Sequence, residues 1–255
     1  MSNHAEIVSV DAANVEERGF FCFKSKRKTE GYAQKKNWLQ ERFSEGLKIH
    51  IVYEDGRSVG FIEYIPGEYA WRAVRAPGYV LIHCLWVVGR AKKKGYGSQL
   101  LEVCLADARQ MGASGVAMVT SSKPWLAGSQ LLLKHGFERV EQLPPFELMV
   151  KRFDDAAPPA FPTDWEARLA AFGPGLTVMR SDQCPYMEDA TNTILEFGRS
   201  RGLDAKVIHL KTCREVQETS PTPYGTFAVV HDGQLLSYYY MIPKDLQKSL
   251  GGEPG

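Results

Sequence analysis

The chain lacks any run of about 18 uncharged apolar residues, which argues against a membrane-spanning helix. Its first residues, Met1 to Glu6, carry no basic patch followed by an apolar stretch, so no secretory signal is expected. Cysteine is sparse: five residues (Cys22, Cys84, Cys104, Cys184, Cys213), an odd number at scattered spacing. That pattern fits free thiols in a reducing, cytoplasmic setting better than a disulfide framework. Strong net charge is also missing, the formal balance being +1. What remains is 255 residues with 44% hydrophobic and 24% charged side chains. This is ordinary for one large or two smaller globular domains, and excludes disorder, collagen and coiled coil as overall classes.

The near-zero balance conceals an asymmetry. Up to Arg152 there are 22 Lys and Arg against 16 Asp and Glu, and from Phe153 onward 9 against 14. The change of sign supports two units and makes the basic half the expected home of an anionic ligand. It is too mild, without a motif, to imply nucleic acid. Asp154 to Pro162 is rich in Pro, Ala and Asp and reads as a linker. A short capped helix, Trp165 to Phe172, follows and stops at Gly173-Pro174-Gly175. The expected division is therefore residues 1–153, a linker with a short helix over 154–175, and a smaller unit over 176–255.

In the first unit the pattern predicts a helix over Glu30 to Ser44. A hairpin of Lys48–Tyr53 and Ser58–Tyr64 turns at Asp55-Gly56. The apolar run Tyr79 to Val88 predicts a buried strand. Ser98 to Met111 carries Leu101, Cys104, Leu105, Ala108 and Met111 on one helical face. A strand at Val116–Thr120, a helix at Ser129–His135 and strands at Glu138–Gln142 and Phe146–Phe153 complete an α/β (α+β) order.

Chemistry concentrates in Val87-Val88-Gly89-Arg90-Ala91-Lys92-Lys93-Lys94-Gly95-Tyr96-Gly97-Ser98. A buried strand runs into a basic, glycine-bearing loop that opens an amphipathic helix. Gly95 and Gly97 permit a tight turn and close approach to a ligand. The first N–H groups of the helix lack partners within it and sit at its positive end, a ready seat for a phosphate or diphosphate. The alternative is a plain strand–helix turn with a solvated basic face.

These residues resemble motif A of the GNAT (GCN5-related) N-acetyltransferase superfamily, with Lys92 at a position usually Arg or Gln. Leu131-Leu132-Leu133-Lys134-His135-Gly136-Phe137 is similar to the family's later helix-Gly-Phe motif. The resemblance covers roughly residues 5–153. It implies a mixed central sheet flanked by helices and acetyl-CoA as co-substrate. The diphosphate would lie on Lys92, Lys93, Lys94, Gly95, Tyr96, Gly97 and Ser98, and the pantetheine arm beside Leu85 to Val87. The Val87 N–H would hold the developing oxyanion. Both substrates would be bound together, an amine attacking the thioester directly.

The proton carriers are less regular. The family's strand glutamate falls at Leu81 and its helix tyrosine at Leu132, so both usual groups are replaced. Strand alternation puts residues 81, 83, 85 and 87 on one face. His83 then stands as a general base or as a hydrogen-bonded core histidine. Glu63 stands as a base through water or as a paired carboxylate. Tyr96 is expected to pack near the co-substrate. For the acceptor, a small-molecule or peptide amine, the aromatic and charged segments holding Cys22, Tyr69, Trp71 and Arg72 form the candidate wall, or else cap the core.

The second unit reads as strand (Leu176–Met179), helix (Glu188–Arg199), strand (Ala205–Leu210) and a hairpin across Asp232-Gly233. It resembles a small thioredoxin/glutaredoxin-like domain, in a YoaP-like arrangement. Cys184-Pro185-Tyr186 falls at the helix start, where a thiolate is favoured. Met187 stands where a dithiol centre has its second cysteine. Pro221 or Pro223 would match that fold's cis-proline. The alternatives to an N-acetyltransferase are a monothiol redox or thiol-binding protein using Cys184, and a non-catalytic CoA sensor.

Overall fold

A computed structural model describes residues 5–250. The chain divides into two compact units. The first holds residues through Ser25, 36–70 and 74–161; the second holds 26–35, 71–73 and residues from Pro162 on.

The first unit is built on a seven-stranded mixed sheet. In chain order its strands are β1 (Ala5–Val10), β2 (Lys48–Glu54), β3 (Arg57–Pro66), β4 (Tyr79–Val87), β5 (Gly115–Ser121), β6 (Glu138–Leu143) and β7 (Phe146–Arg152). They lie in the order β1-β2-β3-β4-β5-β7-β6. Only β4 and β5 pair in parallel, as the strand–helix–strand crossover between them requires. Asp55 and Gly56 both have positive φ (49° and 74°), the two-residue turn foreseen for that hairpin. Strand β1, which the sequence pattern left unassigned, borders the sheet beside β2.

Helices α1 (Val15–Arg18), α2 (Glu30–Phe43), α3 (Tyr96–Gln110) and α4 (Gln130–Lys134) follow in chain order. Leu100, Leu101, Cys104, Leu105 and Ala108 of α3 are buried with Ile62, Tyr64, Val80, Ile82, Leu85, Val116 and Met118. This is the apolar stripe read from the sequence with Leu100 added, laid on one face of the sheet; Met111, expected on it, is corrected, for it lies past the last turn of α3 and is 40% exposed. On the other face Trp38 of α2 stands near His83, ring centroids 6.1 Å apart.

The second unit contains α5 (Trp165–Ala170), β8 (Leu176–Arg180), α6 (Met187–Ser200), β9 (Ala205–His209), α7 (Cys213–Thr219), β10 (Phe227–His231), β11 (Gln234–Ser237) and α8 (Pro243–Leu250). Its sheet has the order β11-β10-β8-β9, with β8 and β9 parallel and β10 antiparallel to both its neighbours. Asp232 and Gly233 again have positive φ, so this second Asp-Gly also makes the expected hairpin turn. Thr212 and Glu215 form a capping box that starts α7. Among the described residues the cis peptide bond is Pro144–Pro145, so the expectation of a cis bond before Pro221 or Pro223 is corrected. Isomer choice at proline depends on tertiary surroundings, not on the dipeptide alone.

Candidate active site

The site begins with an irregularity in β4. Against β3, Tyr64 pairs with Ile82 but Glu63 pairs with Cys84, so His83 is an extra residue opposite no partner: a β-bulge. The bulge reverses the strand's alternation. Val80 and Ile82 face α3 before it, and Leu85 and Val87 pack on that same side after it. The expectation that residues 81, 83, 85 and 87 share one face is thereby corrected, because an inserted residue shifts every later side chain by one step. Periodicity alone carries no sign of it.

The parallel ladder to β5 ends where the bulge begins. β4 pairs with β5 only from Tyr79 to Ile82, although β4 runs on to Val87 and β5 to Ser121. The two strands therefore part and leave a gap lined by main chain. The N–H of Val88 is donated to the Val59 carbonyl at 2.9 Å. Adjacent residues of a strand point their N–H groups to opposite sides, so that of Val87 is directed away from β3, toward the gap.

Beyond β4 the loop reaches α3 through Lys93 (φ 67°) and Gly95 (φ 86°). Gly95 is the helix cap, left-handed, and no side chain caps the first turn. The opening N–H groups of α3 are thus left to an external acceptor. A Cβ at Gly95 or Gly89 would meet nothing within 4 Å, so the main chain there is open. Gly97 differs: its Cβ would come 3.1 Å from Leu131 Cδ2. Its smallness serves the packing of α4 on α3, not only the approach of a ligand.

A cavity of about 660 Å³ joins these parts. Leu85, Trp86 and Val87 line it from β4, Lys92, Lys93, Gly95, Tyr96, Gly97 and Ser98 from the loop and helix, and Leu131 and Leu132 from α4. The volume suits a medium-sized ligand. Lys92 and Lys93 are exposed, with the Lys92 ammonium 5.3 Å from the centre of the Trp86 ring. Lys94 is engaged elsewhere: its Nζ and the Tyr96 hydroxyl both donate to Glu54 Oε1, at 2.8 and 2.6 Å. That bond raises the tyrosine's pKa and keeps its proton in place. Nothing in the local motif could reveal Glu54, 40 residues away. Ser98 Oγ lies 2.9 Å from His135 Nε2, a further tie between α3 and the end of α4.

On the opposite face of β4, His83 and Glu63 form a buried pair, Nδ1 to Oε1 3.4 Å. Leu81 and Leu132, where the motif comparison had found the usual carboxylate and tyrosine replaced, are both buried apolar residues. Phe61 lies across from Trp86 in the β3–β4 register, and Phe21 stacks on Phe61 with centroids 4.8 Å apart. Trp86 is 49% exposed. Phe21 belongs to the aromatic segment around Cys22 named from sequence, but Phe61 and Trp86 were not singled out, since cross-strand neighbours depend on register. Cys22 is partly buried beside Phe21 in the chain, and Tyr69 is exposed on a short 3-10 turn.

Trp71 and Arg72 belong to the second unit and are almost fully buried. The Arg72 guanidinium donates to Gln183 Oε1, to Thr226 Oγ1 at 2.8 Å and to the Trp71 carbonyl, over the ring of Tyr224. Cys184, in no disulfide and of intermediate burial, stands just before α6. Among the described residues no group of three His, Cys, Asp or Glu side chains is arranged to hold a metal ion. None of the described helices is long and apolar enough to cross a membrane.

The model of the acetyltransferase (GNAT) family matches residues 13–137. The uncharacterized N-acetyltransferase YoaP of Bacillus subtilis (strain 168) is 31% identical over 248 residues, covering 95% of this chain and 97% of that protein. The chain belongs to the GNAT acetyltransferase family. Solved structures similar to it include the PaiA N-acetyltransferase of Thermoplasma acidophilum in complex with coenzyme A. That protein is 16% identical, over 59% of this chain and 99% of that one, with a TM-score of 0.39. A GNAT family acetyltransferase of Brucella melitensis in complex with acetyl-CoA is 17% identical, over 63% and 97%, with a TM-score of 0.39. In this GNAT chain the family match ends at Phe137, whereas the likeness to YoaP extends through the second unit.

Proposed function

We propose that the protein transfers an acetyl group from acetyl-CoA to an amine in a ternary complex, using the gap between β4 and β5. The parting of those strands next to an uncapped, glycine-led helix carries this reading. The N–H groups from Lys92 to Ser98 receive the diphosphate, helped by the Lys92 and Lys93 charges. Lys94 acts indirectly, holding the loop to Glu54. The main chain of Leu85 to Val87 pairs with the pantetheine arm, and the Val87 N–H stabilises the oxyanion as the amine nitrogen adds to the thioester carbon. The C–S bond then breaks, and the amine gives up its proton.

The buried Glu63–His83 pair is the proposed path for that proton, reached through water from the acceptor face. Phe21, Phe61 and Trp86 flank the acceptor on the same side of the sheet, with Cys22 nearby, which favours amines bearing an apolar or aromatic group. Tyr69 remains a candidate at the edge of that wall. We read the second unit as a thioredoxin-like domain with Cys184 at the position of its first thiol; the sheet order β11-β10-β8-β9, with Cys184 just before α6, supports this reading.

The test is calorimetric titration with acetyl-CoA, followed by CoA release across a panel of aliphatic and aromatic amines. We expect saturable binding, amine-dependent release, and a preference for aromatic amines that Trp86→Ala abolishes. Binding without release for any amine would reject catalysis. Binding unchanged by Gly97→Leu would reject the loop assignment. Cys184→Ser should leave transfer intact, and its loss would favour a thiol-linked activity.

A further inference from the structure

The acetyl-transfer site leaves unused a polar cluster elsewhere in the first unit. Ser9 of β1 and His50 of β2 stand directly opposite in the antiparallel register, and Ser9 Oγ lies 3.2 Å from His50 Nδ1. On the far side of the ring, Nε2 lies 2.9 Å from the Tyr64 hydroxyl and 3.4 Å from Asp107 Oδ2. Tyr64 in turn donates to Asp107 Oδ2 at 2.5 Å. Three strands and α3 thus supply one continuous chain of contacts, Ser9–His50–Tyr64–Asp107.

The hydrogen positions follow from the chemistry of these groups. Burial raises the Tyr64 pKa, so the hydroxyl keeps its one proton and gives it to Asp107. Burial opposes ionisation of Asp107, but Tyr64 and Lys48 outweigh it, and the carboxylate can only accept. His50 Nε2 must therefore carry a proton, donated to the Tyr64 oxygen. Burial lowers the His50 pKa more than Asp107 raises it, so near neutral pH the ring holds that proton alone. Nδ1 is left as a bare acceptor for the Ser9 hydroxyl. A hydroxyl bonded to a neutral imidazole, whose other nitrogen is fixed by an acidic group, is an activated nucleophile. A cavity of about 630 Å³ gives access to it, lined by Ser9, His50, Asp107 and Lys48 with the apolar Phe43 and Leu47. It shares no lining residue with the cavity beside β4. Ser9 is exposed, so water reaches it. Among the described residues the Lys48 ammonium donates to Asp107 alone, at 2.9 Å, which leaves two of its N–H groups for an anionic oxygen.

We propose that Ser9 and His50 form a second catalytic centre, which hydrolyses esters of small carboxylic acids. Ser9 Oγ bonds to the ester carbonyl carbon as its proton passes to His50 Nδ1, and Lys48 steadies the oxyanion. The C–O bond to the alcohol breaks, and the alcohol leaves with that proton. Water then gives a proton to the same nitrogen and adds to the acyl group, releasing the acid and restoring Ser9. The acyl chain lies on Phe43 and Leu47. This holds whether or not the first unit transfers acetyl groups.

The experiment is hydrolysis of p-nitrophenyl butyrate by the full chain without acetyl-CoA, so that failure here leaves the acetyl-transfer reading untouched. Expected are saturable turnover and a loss of at least about 100-fold in kcat/KM for both Ser9→Ala and His50→Gln. Ser9 is an exposed position, and circular dichroism melts verify that the variants fold. A fluorophosphonate should add to the wild-type chain at Ser9 and leave Ser9→Ala unlabelled, as read by peptide mass spectrometry. Nitrogen-15 spectra, with His50→Gln for assignment, should show Nε2 protonated and Nδ1 bare at neutral pH. Hydrolysis no faster than that of Ser9→Ala, label on another residue, or a proton on Nδ1 would each overturn the proposal.

Discussion

The Tyr96 hydroxyl donates to Glu54 Oε1 at 2.6 Å, tying the first turn of α3 to the end of β2. Glu54 also takes the Lys94 ammonium, so one carboxylate on a neighbouring strand holds both sides of Gly95. The loop is thereby shaped before any ligand arrives, which lowers the ordering cost of binding.

Tyr96→Phe and Glu54→Gln should therefore raise the KM for acetyl-CoA several-fold and leave kcat nearly unchanged. Steady-state kinetics separates the two. A fall in kcat alone would assign Tyr96 to the chemical step.

The two glycines of the loop should fail in different ways. Gly95→Ala adds a methyl group with open space around it but forces a left-handed residue, at about 1–2 kcal/mol. Gly95→Asn should recover much of that loss. Gly97→Leu meets Leu131 and should displace α4, lowering both the melting temperature and acetyl-CoA binding. Thermal melts with and without acetyl-CoA distinguish strain from lost binding.

Arg72→Ala should destabilise the second unit, by roughly 2–3 kcal/mol on the scale of hydrogen bonds to a charged group. Denaturant unfolding measures it. Selective weakening of acceptor binding at unchanged stability would instead return Arg72 to the acceptor wall, where the sequence reading had placed it.

Acid should weaken the first unit through the cluster around Asp107. Its Oδ2 accepts from Tyr64 at 2.5 Å and from Lys48 at 2.9 Å, with His50 Nε2 at 3.4 Å. Burial opposes ionisation of Asp107, but these donors outweigh it and hold its pKa low. Burial lowers the His50 pKa more than Asp107 raises it. A histidine held neutral contributes stability above its unfolded pKa, near 6.5, and loses it as pH falls toward the folded value. The lowered aspartate adds a second loss at more acid pH, below its unfolded value of about 3.9. Melting temperature should decline below about pH 6.5, and His50→Gln should flatten that part of the curve.

Both Asp-Gly hairpins, the buried β4, the amphipathic α3 and the basic glycine loop were legible in the sequence. Each rests on a short-range rule: left-handed turn residues, alternation or helical spacing. His83 shows where such rules stop. Whether a strand residue is paired or bulged depends on the partner's register, and β3 lies some 20 residues earlier in the chain. The same holds for Leu85, whose facing was misread for that one-residue shift.

By itself, then, the sequence determined most of the strands and helices, though not β1 or α7, and that a basic, glycine-bearing turn joins β4 to α3. Tertiary structure alone decided where β4 and β5 part, that Glu54 secures the loop, and that Arg72 is buried against Gln183 and Thr226. The physical reason is range. Turn and periodicity preferences act within a few residues, whereas register, ion pairing and burial arise between segments that only folding brings together.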